Sequence, residues 1–383
     1  MERTANYFLC VIGCLLIIGF WAIYSSGFSL AVGINSDDML LRHSVYLCIS
    51  FFVFYFASKV PYNYYQKVSG YLMLMVIVLL VLVLIPGIGK EIYGASRWIK
   101  IGGFTFQPSE LAKVISIIYL ANLLSNKQDS LSYFWKGFVG SSLAVGIVIS
   151  LIAAEPDLGN GILLGTTVVL MLQVSGFKWK YFSVIIFAMA AGGLAMLSRF
   201  DHIMKRLNGF MNAEELKSSS GFQSYMATTS IGSGGVYGAG LGEGQIKLFY
   251  LPFVNNDFIF SLIGEEMGLI GIGFVLLLFG FFVFFGLKIA LNSKDLFGTF
   301  LAFGFVFMTG LQAFFHIGVN LGLLPTKGIS LPFISYGGTS LIVMMGCMGI
   351  LYNIALNGRS RTRELGAVEI PFKIASKKSH IPS

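Results

Sequence analysis

Asp257 stands where a polar stretch, Phe253-Val254-Asn255-Asn256, meets the apolar run that starts at Phe258. A carboxylate at such a boundary has two readings. As a short acid ahead of a helix it accepts an N–H of the first turn and caps it. As a group partly withdrawn from water it gains a raised pKa and can take a proton from a hydroxyl. Position alone favours the cap. Glu265 and Glu266 lie farther into the same run, where two adjacent acids are harder to explain by structure alone.

A second group joins Arg97-Trp98 to Gln107-Pro108-Ser109-Glu110-Leu111-Ala112-Lys113. Gln107-Pro108-Ser109 reads as a helix start, with Pro tolerated in the first turn and Glu110 at the positive end of the dipole. Lys113 falls on the same face three residues later. The pair either holds the helix or receives a phosphate-bearing headgroup. Arg97 and Trp98 by themselves read as a snorkelling cation and an interfacial aromatic.

Three further stretches break the apolar pattern. Glu155-Pro156-Asp157-Leu158-Gly159-Asn160-Gly161 reads as a tight turn whose Asp or Asn caps the next helix. Ile231–Gly244 is glycine-rich, but no Gly-Lys-Ser/Thr follows and no βαβ pattern surrounds it. It is no nucleotide loop, and its glycines instead allow close approach to a ligand or to a neighbouring helix. Gly322–Ser340 carries Pro325 and Pro332 among several glycines. Irregular backbone inside an apolar bundle is expected to line a cavity, which points to Lys327, Ser335 and Tyr336. The four histidines are scattered, and Cys10, Cys14, Cys48 and Cys347 sit in apolar runs without zinc spacing. No metal-ligand set, nucleophile elbow or Ser/His/Asp arrangement is present.

The elements that must position these groups are transmembrane helices. Only 11% of the 383 residues are charged and 56% are hydrophobic, against about 25% charged in soluble domains. Apolar windows give spans at roughly 6–27, 42–59, 69–87, 108–125, 136–153, 159–176, 180–198, 258–287, 296–319 and 338–356. Each is long enough to cross the bilayer as a helix. The formal net charge of +8 then reflects topology rather than nucleic-acid binding. Arg3, Lys59, Lys67, Lys178, Lys180, Lys288, Lys294 and Arg359–Arg363 fall on one side, which assigns both termini to the cytoplasm. The expected architecture is all-α and polytopic, with about ten spans and a large outer loop between spans seven and eight. Residues 1–357 form one membrane domain, and 358–383 a basic cytoplasmic tail expected to be disordered. Chemistry is expected outside, where the segments are longer and richer in Gly, Pro and aromatics.

Taken together, Arg97-Trp98 with Gln107–Lys113, Gly232–Gly235 with Gly240–Gly242, Tyr250–Pro252, Asp257–Phe260 with Gly264–Glu266, and Pro325–Gly328 through Ser335–Gly338 resemble the SEDS family (shape, elongation, division and sporulation). The pieces follow family order over nearly the whole chain, closer to the FtsW branch than to the RodA branch. The resemblance implies polymerisation of lipid II into glycan strands at the outer face of the inner membrane, for septal wall synthesis in division. It implies a class B penicillin-binding protein and other division-machinery membrane proteins as partners. It places the catalytic aspartate at Asp257, and Arg97, Trp98, Glu110 and Lys113 around the same cavity. Gln107, Lys327 and Ser335 complete the expected substrate-binding set. Three departures are visible: Glu155 stands where the family usually has Gln, Phe253–Asn256 replaces an acidic, His-Thr-like run, and Thr339 stands where Ser is common. Asp257 is retained.

The chemistry so implied is one in-line displacement. A sugar 4-hydroxyl attacks an anomeric carbon, Asp257 takes the proton, and undecaprenyl pyrophosphate leaves with inversion. Arg97, Lys113 or Lys327 would meet the developing charge, alone or with a divalent cation such as Mg or Mn. The rival readings are a lipid II flippase, an elongation-type polymerase of the RodA branch, and an inactive division scaffold. The absence of an internal repeat and the crowding of polar groups on one side weigh against a transporter.

Overall fold

The computed structural model describes residues 2–27, 36–87, 89–92, 95–101, 104–126, 140–177, 204, 208–212, 215–216, 221–245 and 255–358. Within these, the helices are α1 (Glu2–Ser26), α2 (Ser36–Lys59), α3 (Tyr62–Leu84), α4 (Pro108–Asn126), α5 (Gly140–Ala154), α6 (Leu158–Val174), α7 (Phe222–Ser233), α8 (Ile259–Leu291), α9 (Leu296–Asn320) and α10 (Gly338–Asn357). All except α7 coincide with expected spans. The expected span 180–198, parts of the loop leading from it (199–203, 205–207, 213–214, 217–220 and 246–254), and the tail beyond 358 lie outside the described residues.

Six of these helices, α1, α2, α3, α8, α9 and α10, are long and apolar enough to cross a bilayer by themselves. α4 carries Glu110 and Lys113, and α5 and α6 are shorter. These three are carried by packing: α4 lies against α3 and α9, and α6 against α9 and α5. The core is built from their inward faces, with Ile117, Leu120 and Leu124 of α4, Leu164 and Met171 of α6, and Leu301 and Phe305 of α9 all withdrawn from the surface. Phe51, Phe52, Tyr55 and Phe56 of α2 remain exposed. A surface so apolar is stable only with hydrocarbon around it.

Between α3 and α4 the chain forms a small antiparallel sheet of three strands, β1 (Lys90–Ile92), β2 (Ala95–Ile101) and β3 (Phe104–Phe106). Trp98 pairs with Lys90, and Ile99 with Phe106. Sequence periodicity gave no sign of these strands, because two of them span three residues each. Their role is local. β2 carries Arg97 and Trp98, and β3 delivers the chain to Pro108, the first residue of α4.

α8 is broken at Gly268, whose φ of 63° and ψ of −160° leave the helical region. The glycine-rich segment fills the break. Ala239 N–H and Gly240 N–H donate to the carbonyls of Glu265 and Glu266 at 2.9 and 3.2 Å, and the amides of Leu269 and Ile270 return to Gly235 and Val236 at 2.9 and 3.3 Å. The backbone groups released by the kink are thereby paired inside an apolar bundle. Of the two uses anticipated for the glycines, close approach to a helix is seen at Gly234 and Gly238. A Cβ on Gly234 would lie 2.1 Å from Gly264 O, and one on Gly238 2.2 Å from Glu266 O.

Candidate functional site

Asp257 does not cap α8. Phe258 holds the N-cap position, and no side chain accepts there. The cap reading is therefore corrected, for a geometric reason: Asp257 precedes the helix by one residue more than a cap does. The third amide of the helix, Ser261 N–H, is the one a cap normally serves. It is shared instead between Asn320 Oδ1, at the end of α9, and Phe258 O, both at 3.1 Å. Asn320 Nδ2 also donates to the carbonyl of Asp257 itself, at 3.0 Å. The Asp257 side chain is half-buried. Its neighbour is Gly328, where a Cβ would lie 3.8 Å from Asp257 Oδ2.

The Gly322–Gly337 segment, irregular as its prolines and glycines require, folds back along this region. Ser335 is buried, and its hydroxyl donates to Asn256 O and accepts from Leu331 N, both at 2.8 Å. Tyr336 N–H donates to Asn255 O at 2.9 Å. Ser335 thus fastens the approach to Asp257 to the returning segment. Phe333 is held at φ 66° while 3% exposed, a left-handed conformation that costs an aromatic residue about 1–3 kcal/mol. Its carbonyl lies against Gly19 of α1, where a Cβ would come within 2.5 Å. Lys327 is half-buried with its ammonium 5.9 Å from the Phe315 ring, and burial pulls its pKa below the usual lysine range.

The residues of the second expected group lie together around the start of α6, with further partners. Lys113 and Glu110 form a buried ion pair at 2.9 Å, and Lys113 Nζ also donates to Asn160 Oδ1 at 2.7 Å. Asn160 Nδ2 donates to Asp157 Oδ2 at 2.9 Å, and Gln107 Nε2 donates to the same oxygen at 3.1 Å. Asp157 caps α6 through Asn160 N–H, as the sequence suggests. Arg97 reaches the same turn, its guanidinium donating to the carbonyls of Glu155, at 3.0 Å, and Pro156. Trp98 is half-buried beside it in β2. A buried Lys–Glu pair is costly unless its remaining hydrogen-bonding capacity is met. Asn160 meets part of it.

The two groups are joined by one short stretch. Ile329 packs its side chain on Gly159, where a Cβ would lie 2.9 Å from Cγ1, and its carbonyl accepts from His316 Nδ1 at 2.8 Å. Thr339 donates to Thr105 O of β3 at 3.0 Å. Lys327–Ile329 thus lies between Asp257 on one side and the start of α6 on the other.

Glu265 and Glu266 receive a structural account. Glu266 accepts from Ser25 Oγ at 2.7 and 2.8 Å and from the amides of Gly242 and Gly244 at 3.0 and 3.3 Å. Glu265 accepts from Gln245 N–H at 2.8 Å and Ser230 Oγ at 3.2 Å. They bind the glycine segment. Glu155 is the opposite case. It is 1% exposed, and neither carboxyl oxygen has a hydrogen-bond partner among the described residues. Burial, reinforced by Asp157 and opposed by Arg97, raises its pKa to about 8. No group of three or more His, Cys, Asp or Glu side chains among the described residues is arranged to hold a metal ion.

Sequence reading took Asn160 only as a cap candidate, without its bond to Lys113, and it missed Gln312, His316 and Asn320. The last three had a visible signal: polar residues at i, i+4 and i+8 in an apolar helix share one face.

A helical bundle with a buried ion pair, a broken helix and an irregular returning segment, wrapped in an apolar surface, is a multi-pass membrane protein with its polar site gathered at one region. The family model described as "Cell cycle protein", which covers FtsW, RodA and SpoVE, matches residues 5–360, and the chain belongs to that family. It is 38% identical over 364 residues to the probable peptidoglycan glycosyltransferase FtsW of Geobacter sp. (strain M18), covering 94% of this chain and 99% of the relative. It is 37% identical over 366 residues to stage V sporulation protein E of Bacillus subtilis (strain 168), covering 94% and 99%. The fold matches a chain of a peptidoglycan synthase complex that coordinates polymerization and crosslinking, with TM-score 0.77, 24% identity and coverage of 92% and 98%. It also matches the rod shape determining protein RodA of Thermus thermophilus, with TM-score 0.69, 24% identity and coverage of 92% and 96%.

Proposed function

We propose that this chain is a peptidoglycan glycosyltransferase that polymerises lipid II into β-1,4 glycan strands at the outer face of the cytoplasmic membrane, and that Asp257 is its general base. The names borne by its FtsW relatives support the reaction class. The observation that carries the residue assignment is the juxtaposition of a half-buried Asp257 with the Lys327–Gly328 backbone at the start of α8. A carboxylate there is accessible on one side and set against a cation-bearing segment on the other.

In this reading the acceptor's 4-hydroxyl oxygen forms a bond to the donor's anomeric carbon. The hydroxyl proton passes to an Asp257 carboxyl oxygen, the bond to undecaprenyl pyrophosphate breaks, and the centre inverts from α to β. One displacement needs one base. Lys327 is the best-placed cation for the leaving pyrophosphate, since Lys113 is paired with Glu110 and Arg97 is turned to backbone carbonyls. Lys113 and Arg97 then shape the neighbouring wall, with Gln107 and Glu110. No cofactor is assigned. The proposed setting is the division septum, with both termini cytoplasmic and a class B penicillin-binding protein as partner. A fold shared with a chain of a peptidoglycan synthase complex supports that pairing.

The test is lipid II polymerisation by the purified full chain, with and without that partner. Asp257→Asn should lower the rate at least about a hundredfold, the range lost with an essential base, while the protein remains monodisperse and membrane-inserted. Glycan chains made at the wild-type rate by Asp257→Asn would remove the assignment.

A further inference from the structure

We propose that Asn320, backed by His316 and Gln312 on the same face of α9, is a positioning residue that sets Asp257 against the Lys327–Ser330 segment. The inference rests on the reading of Asp257 as the base. Asn320 is fully buried. Its Oδ1 accepts from Ser261 N–H at 3.1 Å and Ser261 Oγ at 2.7 Å. Its Nδ2 donates to Asp257 O at 3.0 Å and His316 O at 2.9 Å. Two carbonyls face one end of the amide and two donors face the other, so only this orientation satisfies all four.

The arrangement substitutes for a missing cap. α8 has no side chain of its own at the N-cap; the amides of Ser261 and Leu262 turn back to Phe258 O at 3.1 and 3.3 Å, and Asn320 Oδ1 adds the side-chain acceptor that a cap would supply. Asn320 serves the third amide from another helix and takes hold of the Asp257 carbonyl in the same step. One and two turns back on α9, His316 Nδ1 donates to Ile329 O at 2.8 Å, and Gln312 Nε2 donates to Ser330 O at 3.0 Å. One helix face therefore fixes the backbone of Asp257 and the backbone of the segment whose Gly328 lies beside its carboxylate. A movement of that face would change the distance between base and segment without touching substrate. A misplacement of about 1 Å in a reacting geometry can cost a hundredfold in rate.

The experiment measures lipid II polymerisation by the full-length chain, wild type, Asn320→Ala and Asp257→Ala in parallel, as kcat, KM and the pH dependence of kcat. Asn320→Ala should lower kcat about tenfold or more, leave KM within about twofold, and displace the acid limb of the kcat profile, which reports the base in the bound complex. Loss of correctly folded protein alone would lower kcat without moving that limb. If Asn320→Ala does not fold, Ser261→Ala, which deletes only the hydroxyl bond to Asn320, takes its place, with a kcat loss of about threefold and the same displaced limb. An unmoved acid limb, or a kcat within about twofold of wild type, in the folded variant would overturn the inference. Polymerisation at the wild-type rate by Asp257→Ala would instead overturn the base assignment, and the positioning role with it.

Discussion

At the scale of single residues, Glu155 is the group whose chemistry departs most from its sequence appearance. A carboxyl in an exposed turn would ionise near pH 4. Here it is buried without hydrogen-bond partners among the described residues, and its pKa rises to about 8. The folded chain therefore holds this proton more tightly than the unfolded chain does. The associated stability is fully present below about pH 4.5, the value before burial, falls as pH rises, and is exhausted above about 8. Glu155→Gln keeps the shape and removes the titration. Its thermal midpoint in detergent should match wild type near pH 5 and exceed it by several degrees at pH 8. Equal midpoints at both pH values would show that the carboxyl has a partner in the working protein. The sequence marked Glu155 as standing where Gln is usual, but its burial could not be read from a turn motif that normally faces water.

At the scale of elements, the glycine segment and the kink in α8 form a single device. Each is unstable alone: a helix broken at Gly268 exposes peptide groups to hydrocarbon, and a run of glycines is entropically costly to order. Together they exchange backbone hydrogen bonds, with the Glu265 and Glu266 carboxylates binding further amides of the segment. Gly238 combines a φ of 85° with contact at Glu266 O. Gly238→Ala should therefore cost more than about 2 kcal/mol, because the left-handed strain and the backbone clash add. In urea or thermal melts of the detergent-solubilised chain it should be clearly weaker than Gly232→Ala, where a Cβ meets nothing within 4 Å. Comparable stability of the two variants would refute the interlocked arrangement. The composition of the segment announced close approach. It did not say what would be approached, since a ligand and a helix both demand absence of a side chain.

At the scale of the whole molecule, the proposed chemistry requires the glycine-segment end of α8 to face outward, the orientation expected from the Lys/Arg bias of the sequence. The turn between α8 and α9 carries Lys294 and follows Lys288, while the glycine segment with Tyr237 lies at the other end of α8. Tyr237 is 83% exposed and Lys294 is also exposed, so both suit labelling. In a background lacking the four native cysteines, Tyr237→Cys should react with a membrane-impermeant maleimide on intact spheroplasts. Lys294→Cys should react only after permeabilisation. The reverse pattern would place Asp257 on the cytosolic side and remove the proposed chemistry.

The helices that the described residues contain, α7 apart, and the predominantly helical class were legible in the sequence alone, because hydrocarbon imposes a demand that acts locally: about 20 apolar residues in a row leave a chain no other conformation. The Glu110–Lys113 pair and the Asp157 cap were equally legible, since each joins residues three apart on one helix or turn. Tertiary structure decided the rest. Asn320 reaches Asp257 across 63 residues and Ser25 reaches Glu266 across 241, and no local pattern encodes which polar groups will meet over such separations. Hydrophobic periodicity tells a residue which solvent it faces. It does not tell an amide or a carboxylate which partner will be waiting when the helices pack.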